Sequence, residues 1–239
     1  MIQPLTVLTL TYNRYNILQE AIQSFVSQGA DDCEMLIIND QDKVDYTCDI
    51  PNVRIINCKT RFPSIFDKLL FGFENAKNEY VYRLDDDDLL AEDTLVRCQA
   101  EIYSNPGYDL YRSSTMHFTS SNKYQGESGS VNNGNIFSKK FVAGLDRETA
   151  AKKDVLSIGE DQYMIFHSKP KTHTFDFPSM IYRWGMGTYH ISGMSLTDPD
   201  QVHKRTDASF VKMEEGTIKL EPQFRDDYYL SVRKRIVGQ

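Results

Sequence analysis

Nowhere in the 239 residues do 18 apolar side chains run together, which excludes a helix long and apolar enough to span a bilayer. The opening Met1-Ile-Gln-Pro-Leu5 has neither the basic flank nor the apolar core of a signal peptide. The expectation is a soluble, cytoplasmic protein without a membrane anchor. Cysteine is scarce: Cys33, Cys48, Cys58 and Cys98 show no Cys-x-x-Cys spacing, which excludes a zinc knuckle and a redox pair and leaves four unpaired thiols. An internal repeat is absent too, and with it any solenoid. Positive charge is in short supply, with a net charge of -7. The first hundred residues hold 9 basic and 17 acidic side chains, the remainder 18 and 17. A polyanion such as duplex nucleic acid would have to meet the second part, where Lys139, Lys140, Lys152, Lys153, Lys169 and Lys171 offer a local patch.

What the chain does contain is an acidic stretch with an apolar frame, Tyr80-Val-Tyr-Arg-Leu-Asp-Asp-Asp-Asp-Leu-Leu90. Tyr80, Tyr82 and Leu84 share one face of a period-2 strand, and Asp85, Asp86, Asp87 and Asp88 stand where that strand leaves its sheet. Four adjacent carboxylates repel one another unless a cation intervenes, and a hard divalent ion, Mn2+ or Mg2+, suits oxygen ligands. A solvated acidic turn is the plain alternative; the apolar flanks favour the metal site.

The surrounding pattern predicts an α/β fold with a Rossmann-like, mostly parallel sheet. Leu5 to Thr11 reads as a buried strand, followed by a helix to about Ser27 that is capped by Asn13 or Asn16 and ended by Gly29. Strands at 34–40 and 53–56 follow, then a helix over 62–76 with Pro63 in its first turn and Ile65, Phe66, Leu69, Leu70 and Phe73 inward. A further helix spans about 91–103. Thr11, Asp40 and Asp85 to Asp88 then all fall beyond carboxyl ends of strands, where open α/β sheets bind ligands. After Gly107 the texture changes to short strands at 109–113, 117–119, 135–138 and 180–184. The polar run 121–134 reads as a lid or acceptor loop, 159–167 as a helix with Tyr163, Met164 and His167 inward, 185–193 as a glycine-flanked segment, and 224–239 as a terminal helix.

Val7-Leu-Thr-Leu-Thr-Tyr-Asn-Arg14, Leu36-Ile-Ile-Asn-Asp40, Leu84-Asp-Asp-Asp-Asp-Leu-Leu90 and Gly159-Glu-Asp161, in that order, resemble the signposts of family 2 glycosyltransferases over about residues 3–193. The resemblance implies the GT-A fold, with a donor subdomain at 1–107 and an acceptor-binding, base-carrying part at 108–239. It implies that Thr11, Tyr12, Arg14, Asp40 and Arg61 bind a nucleotide-sugar donor, UDP-linked, together with Asp85 and Asp86. Asp85 and Asp87 match the outer positions of the metal-binding Asp-x-Asp, the adjacent acids leaving a second register open. Asp161 matches the catalytic base beside Glu160, His190 resembles a late metal ligand, and Trp184 resembles an acceptor-side tryptophan. One departure is Thr60-Arg-Phe-Pro-Ser-Ile-Phe-Asp-Lys68, where the family carries a glycine and an Ala-Arg-Asn-like run; Asp67 and Lys68 stand in for those contacts.

Plainer readings sit beside these roles. Glu160 and Asp161 suit the first turn of any helix, His190 a surface imidazole, Trp184 a core anchor, and Asp40 a turn cap. The expected reaction is inverting, metal-dependent glycosyl transfer. Glycan, lipid-linked sugar, protein and a hydroxymethylated DNA base, flipped from its duplex, all remain open as acceptors. The alternatives are a nucleotidyltransferase, against which Tyr12-Asn-Arg14 stands in place of a glycine-rich, lysine-bearing phosphate loop, and a nucleotide-sugar-binding module without turnover.

Overall fold

The computed structural model describes residues 3–12, 14–41, 43–120, 123–129, 133–146 and 159–184. The segment at 185–193, His190 within it, and the helix expected at 224–239 lie outside the described residues. β1 (Leu5–Thr11), β2 (Glu34–Asn39) and β3 (Val53–Asn57) are parallel neighbours, and β4 (Tyr80–Arg83) joins β1 on its other side. With β6 (Leu110–Ser113), β9 (Ile136–Ser138) and β10 (Thr172–Phe175) they build a seven-stranded, mainly parallel sheet ordered β10-β6-β9-β4-β1-β2-β3. β1 and β2 are buried almost throughout because helices cover both faces, which is why they read as near-continuous apolar runs.

On one face, α1 (Tyr15–Val26) and α3 (Thr94–Ser104) pack through Leu18, Ile22, Phe25, Leu95 and Ile102. On the other, α2 (Ile65–Asn75) and α4 (Lys139–Ala143) pack through Phe66, Leu69, Leu70, Phe73 and Val142. Of the two asparagines expected to cap α1, Asn13 lies outside the described residues. Asn16 lies inside the helix, the cap residue is Arg14 without a side-chain cap bond, and its guanidinium is committed to carboxylates instead. α2 begins at Ile65, with Ser64 capping through Asp67 N, so Pro63 precedes the helix and Ile65, its first residue, is 42% exposed rather than inward.

A second sheet, ordered β5-β11-β7-β8, holds β5 (Leu89–Leu90), β7 (Thr115–Ser120), β8 (Lys123–Gly129) and β11 (Met180–Trp184). Half of the expected loop at 121–134, residues 123–129, is therefore strand β8, antiparallel to β7 with a bulge after Phe118, where Gln125 is unopposed and Gly126 takes φ 116°. Edge strands are commonly polar, so its composition mimics a loop. α5 (Glu160–Gln162) runs into a π-helical turn, Tyr163–His167. The wider turn buries Tyr163, Met164 and Ile165 in succession and leaves His167 exposed, not inward. All four cysteines are unpaired, and no helix among the described residues is long and apolar enough to cross a membrane.

Gly134 is placed where only glycine fits. Its φ is 72°, its N–H bonds Arg83 O at 3.0 Å, and an added Cβ would crowd Met180 and lie 3.2 Å from the Tyr82 hydroxyl. Gly134→Ala is expected to cost about 2–4 kcal/mol, read by urea unfolding; an unchanged midpoint would contradict it.

Candidate active site

Thr11, Asp40 and Leu84 leave the sheet along one edge. Because β2 and β4 lie on opposite sides of β1, the connections diverge there and open a crevice. Two clusters occupy it.

The first joins the ends of β1 and β2. Lys68, from the buried side of α2, donates to Thr11 O at 2.6 Å and to Asp40 Oδ1 at 2.5 Å. Asp40 Oδ2 accepts from Phe62 N at 3.2 Å, and the neighbouring Arg61 places its guanidinium 4.1 Å from the centre of the Tyr12 ring. Thr11, Tyr12, Asp40 and Arg61, expected to act together, are thus brought together, with Lys68 as the tie. Burial lowers the Lys68 pKa, while Asp40 and then Asp86 oppose that shift. Lys68→Met would strand the Asp40 carboxylate without its ion-pair partner. A loss of about 3–5 kcal/mol is expected, measured by thermal or urea unfolding; a variant as stable as the parent would refute the tie.

The second cluster is the acid turn, closed by Asp88 N to Asp85 O at 3.1 Å. Arg14 Nη1 bonds Asp86 Oδ1 at 2.7 Å and Asp87 Oδ2 at 3.2 Å. Burial pulls on the Arg14 charge, but Asp86, Asp87 and Asp85 more than offset it and its pKa is raised. Asp88 is occupied on both oxygens, by Arg183 N at 2.9 Å and Asn133 Nδ2 at 2.7 Å. Arg183 also donates from Nε to Asp87 O and from Nη1 to Glu20. Carboxylate oxygens of Asp85, Asp87 and Asp88 lie within 4.8 Å of one another. Burial first, then repulsion from Asp86 and Asp85 against the pull of Arg14, pushes the Asp87 carboxyl up to about 7. Asp88 is raised as well, by burial and then by Asp87. Asp86 Oδ2 is buried with no hydrogen-bond partner among the described residues. The all-oxygen, mutually repelling set of Asp85, Asp87 and Asp88 fits a hard divalent cation.

Facing the acid turn is α5. Glu160 is buried and pairs with Arg83 Nη2 at 2.7 Å, while Asp161 is partly exposed and accepts from Gln162 N at 2.7 Å. Arg83 also lies 3.6 Å from Asp85 Oδ1. Trp184 ends β11 opposite Ser120; the roles expected of its side chain and of His190 fall outside the described residues. Sequence reasoning passed over Arg83, Asn133 and Glu20. An arginine ending an apolar strand just before four acids was the available signal for Arg83; nothing local marked the other two.

A carboxylate turn at the point where strand order reverses, beside a cation-capped aromatic and opposite a second acidic pair, is the layout of an α/β group-transfer enzyme. The family model described as Glycosyl transferase family 2 matches residues 6–150, more than half of the chain, and the protein belongs to that family of glycosyltransferases. Among solved structures, Staphylococcus aureus TarS 1-349 in complex with UDP-GlcNAc aligns at a TM-score of 0.59 and 12% identity, over 98% of this chain and 71% of that one. The complex with UDP gives 0.56 and 12%, over 98% and 70%. TarS 1-349 described without a ligand gives 0.54 and 14%, over 75% and 60%. At these identities the likeness is one of fold, the GT-A type. No curated protein matches the sequence.

Proposed function

We propose that this glycosyltransferase moves a sugar from a UDP-linked donor to an acceptor hydroxyl with inversion, in a reaction that needs Mn2+ or Mg2+. The observation that carries this reading is the meeting of the Tyr12–Asp40–Arg61 cluster and the acid turn at one sheet edge, where Arg14, two residues after Tyr12, bonds Asp86 at 2.7 Å. The UDP assignment draws support from TarS, a structure of the same fold described in complex with UDP-GlcNAc and with UDP.

Asp85 and Asp87 are the proposed cation ligands, since their carboxylate oxygens and those of Asp88 lie within 4.8 Å of one another and both Asp88 oxygens are already engaged. Bound there, a divalent ion offsets the charge of a departing diphosphate. Tyr12 and Arg61 flank the base, Thr11 lines its pocket, and Asp40, oriented by Lys68, accepts a hydrogen bond from it. Arg14 holds Asp86 and Asp87 in place and adds positive charge beside the donor. Asp161 takes the acceptor proton, with Glu160 fixed behind it by Arg83. A single base with in-line attack needs no covalent intermediate, hence inversion. Residues 1–107 supply the donor half; residues 108–239 supply the base and the acceptor side, with Trp184 at the acceptor and His190 as a further metal ligand.

A panel of nucleotide sugars with Mn2+ or Mg2+, assayed for released nucleoside diphosphate with and without chelator, tests the reading on wild type and Asp87→Ala. Chelator-sensitive release from one donor, lost in the variant, is expected. Pyrophosphate release from a nucleoside triphosphate would instead make the protein a nucleotidyltransferase, and donor binding without release under any acceptor would make it a binding module.

A further inference from the structure

We propose that Arg83 is a positioning residue that locks the Glu160–Asp161 segment onto the acid turn, so that the proton-accepting carboxylate and the donor-side carboxylates are held as one rigid unit. The functional half of this inference rests on the role proposed for Asp161; the structural half does not. Arg83 ends β4 two residues before Asp85, and its backbone is held on both sides, N–H to Asn135 O at 2.9 Å and O to Gly134 N at 3.0 Å. The side chain therefore departs from a fixed point. It reaches Glu160 at 2.7 Å and Asp85 at 3.6 Å, joining two segments about 75 positions apart in the chain.

The segment that Arg83 reaches has little else to fix it toward the acids. α5 is three residues long, and its cap residue is Gly159, which has no side chain to cap it. Asp161 spends one oxygen on the adjacent Gln162 N–H. The following turn is anchored away from the crevice, by Tyr163, Met164 and Ile165 in the core and by the Tyr163 hydroxyl on Asp146 O at 2.9 Å. Among the described residues, the Arg83–Glu160 pair is the side-chain link from this segment to the acid turn.

The chemistry of the link favours position over stability. Arg83 and Glu160 are 7% and 9% exposed at the side chain, and a buried ion pair is often no more stable than an apolar pair of the same size. Arg83 Nε is buried with no acceptor among the described residues, so the guanidinium is oriented by its carboxylates at the expense of one hydrogen bond. Burial works against its charge, yet Asp85, Glu160 and Asp161 together outweigh burial and keep it cationic. A planar guanidinium serves two carboxylates in fixed directions, which an ammonium does not. Arg83 is thus suited to hold a spacing.

Arg83→Met, Arg83→Lys, Glu160→Gln and the double variant Arg83→Met/Glu160→Gln test the link by hydrogen exchange and by steady-state kinetics. In Arg83→Met, amide exchange across residues 159–168 is expected to accelerate about tenfold or more beyond any change at β1 and β2 amides, which report the global cost of stranding the Glu160 carboxylate. Affinity for UDP with Mn2+ changes far less than kcat, which falls about a hundredfold; Arg83→Lys recovers part of that loss, and the double variant is no worse than the worse single one. Unchanged exchange at 159–168, additive losses, or a fall in UDP affinity matching the fall in kcat would overturn the proposal. Should Arg83→Met not fold, Glu160→Gln breaks the same pair and decides it. A wild-type protein inert toward every donor would remove the transfer reading, whereas the exchange measurement on that protein would still decide the Arg83 link.

Discussion

Asp87→Asn is expected to give a protein that is more stable than its parent in metal-free buffer at pH 8, and nearly inactive. Asp87 is buried, and burial with two acidic neighbours raises its carboxyl from 3.8 to about 7 in spite of Arg14. The folded state therefore binds a proton that the unfolded chain has already released between about pH 4 and 7. Stability from this group is fullest below the unfolded value and is lost as pH rises through the folded one. Asparagine removes the charge, and Arg14 keeps Asp86 at 2.7 Å. A gain of about 1–3 kcal/mol at pH 8, shrinking toward zero near pH 4, is expected from urea unfolding in chelator. Saturating Mn2+ should reverse the order by stabilising only the wild type. Turnover should fall about a thousandfold, the cost of losing electrostatic support for a leaving group. A variant less stable than wild type at pH 8 would contradict the account of the acid turn as a site that stores repulsion for a cation to relieve.

The second large effect is expected at Arg183. Its side chain is 1% exposed and pairs with Glu20, itself 3% exposed, while its Nε and backbone N–H hold Asp87 O and Asp88 Oδ1. One residue of the second sheet thus ties α1 to the acid turn. Arg183→Met leaves the Glu20 carboxylate without this partner, a loss of about 3–5 kcal/mol from a total that for most domains is about 5–15 kcal/mol. Glu20→Leu/Arg183→Met should lose clearly less than the single variant, because no lone charge is left behind. In that folded double variant Mn2+ affinity should still drop, since the turn has lost its backing. Equal stability of the single and double variants would show that the pair is not coupled.

These effects mark the boundary of what sequence reading reaches. β1, β2 and β4 were legible because strands covered on both faces must be apolar throughout, and the acids after β4 stood out against that background. The site edge followed from the carboxyl ends of those strands, whereas the strand order that opens the crevice came from the fold. Partners chosen by topology were not legible. Glu20 and Arg183 are 163 positions apart and Asn133 and Asp88 are 45 apart, and no local pattern announces either pair. β8 escaped because an edge strand needs no apolar face, and His167 because one π-helical turn changes the phase on which an inward position is read. Arg14 explains the missing cap of α1: a residue drawn to two carboxylates at the crevice sits where helix chemistry alone would place asparagine.

The measurement that bears most directly on the central claim is a calorimetric titration of UDP into the wild-type protein, with Mn2+ and with chelator. Stoichiometric binding that requires the divalent ion, disappears with chelator and is lost in Asp87→Ala is the expected result, because the diphosphate and the carboxylates repel until a cation joins them. UDP binding of equal strength in chelator, or none under either condition, would contradict the assignment of this sheet edge as a metal-assisted donor site.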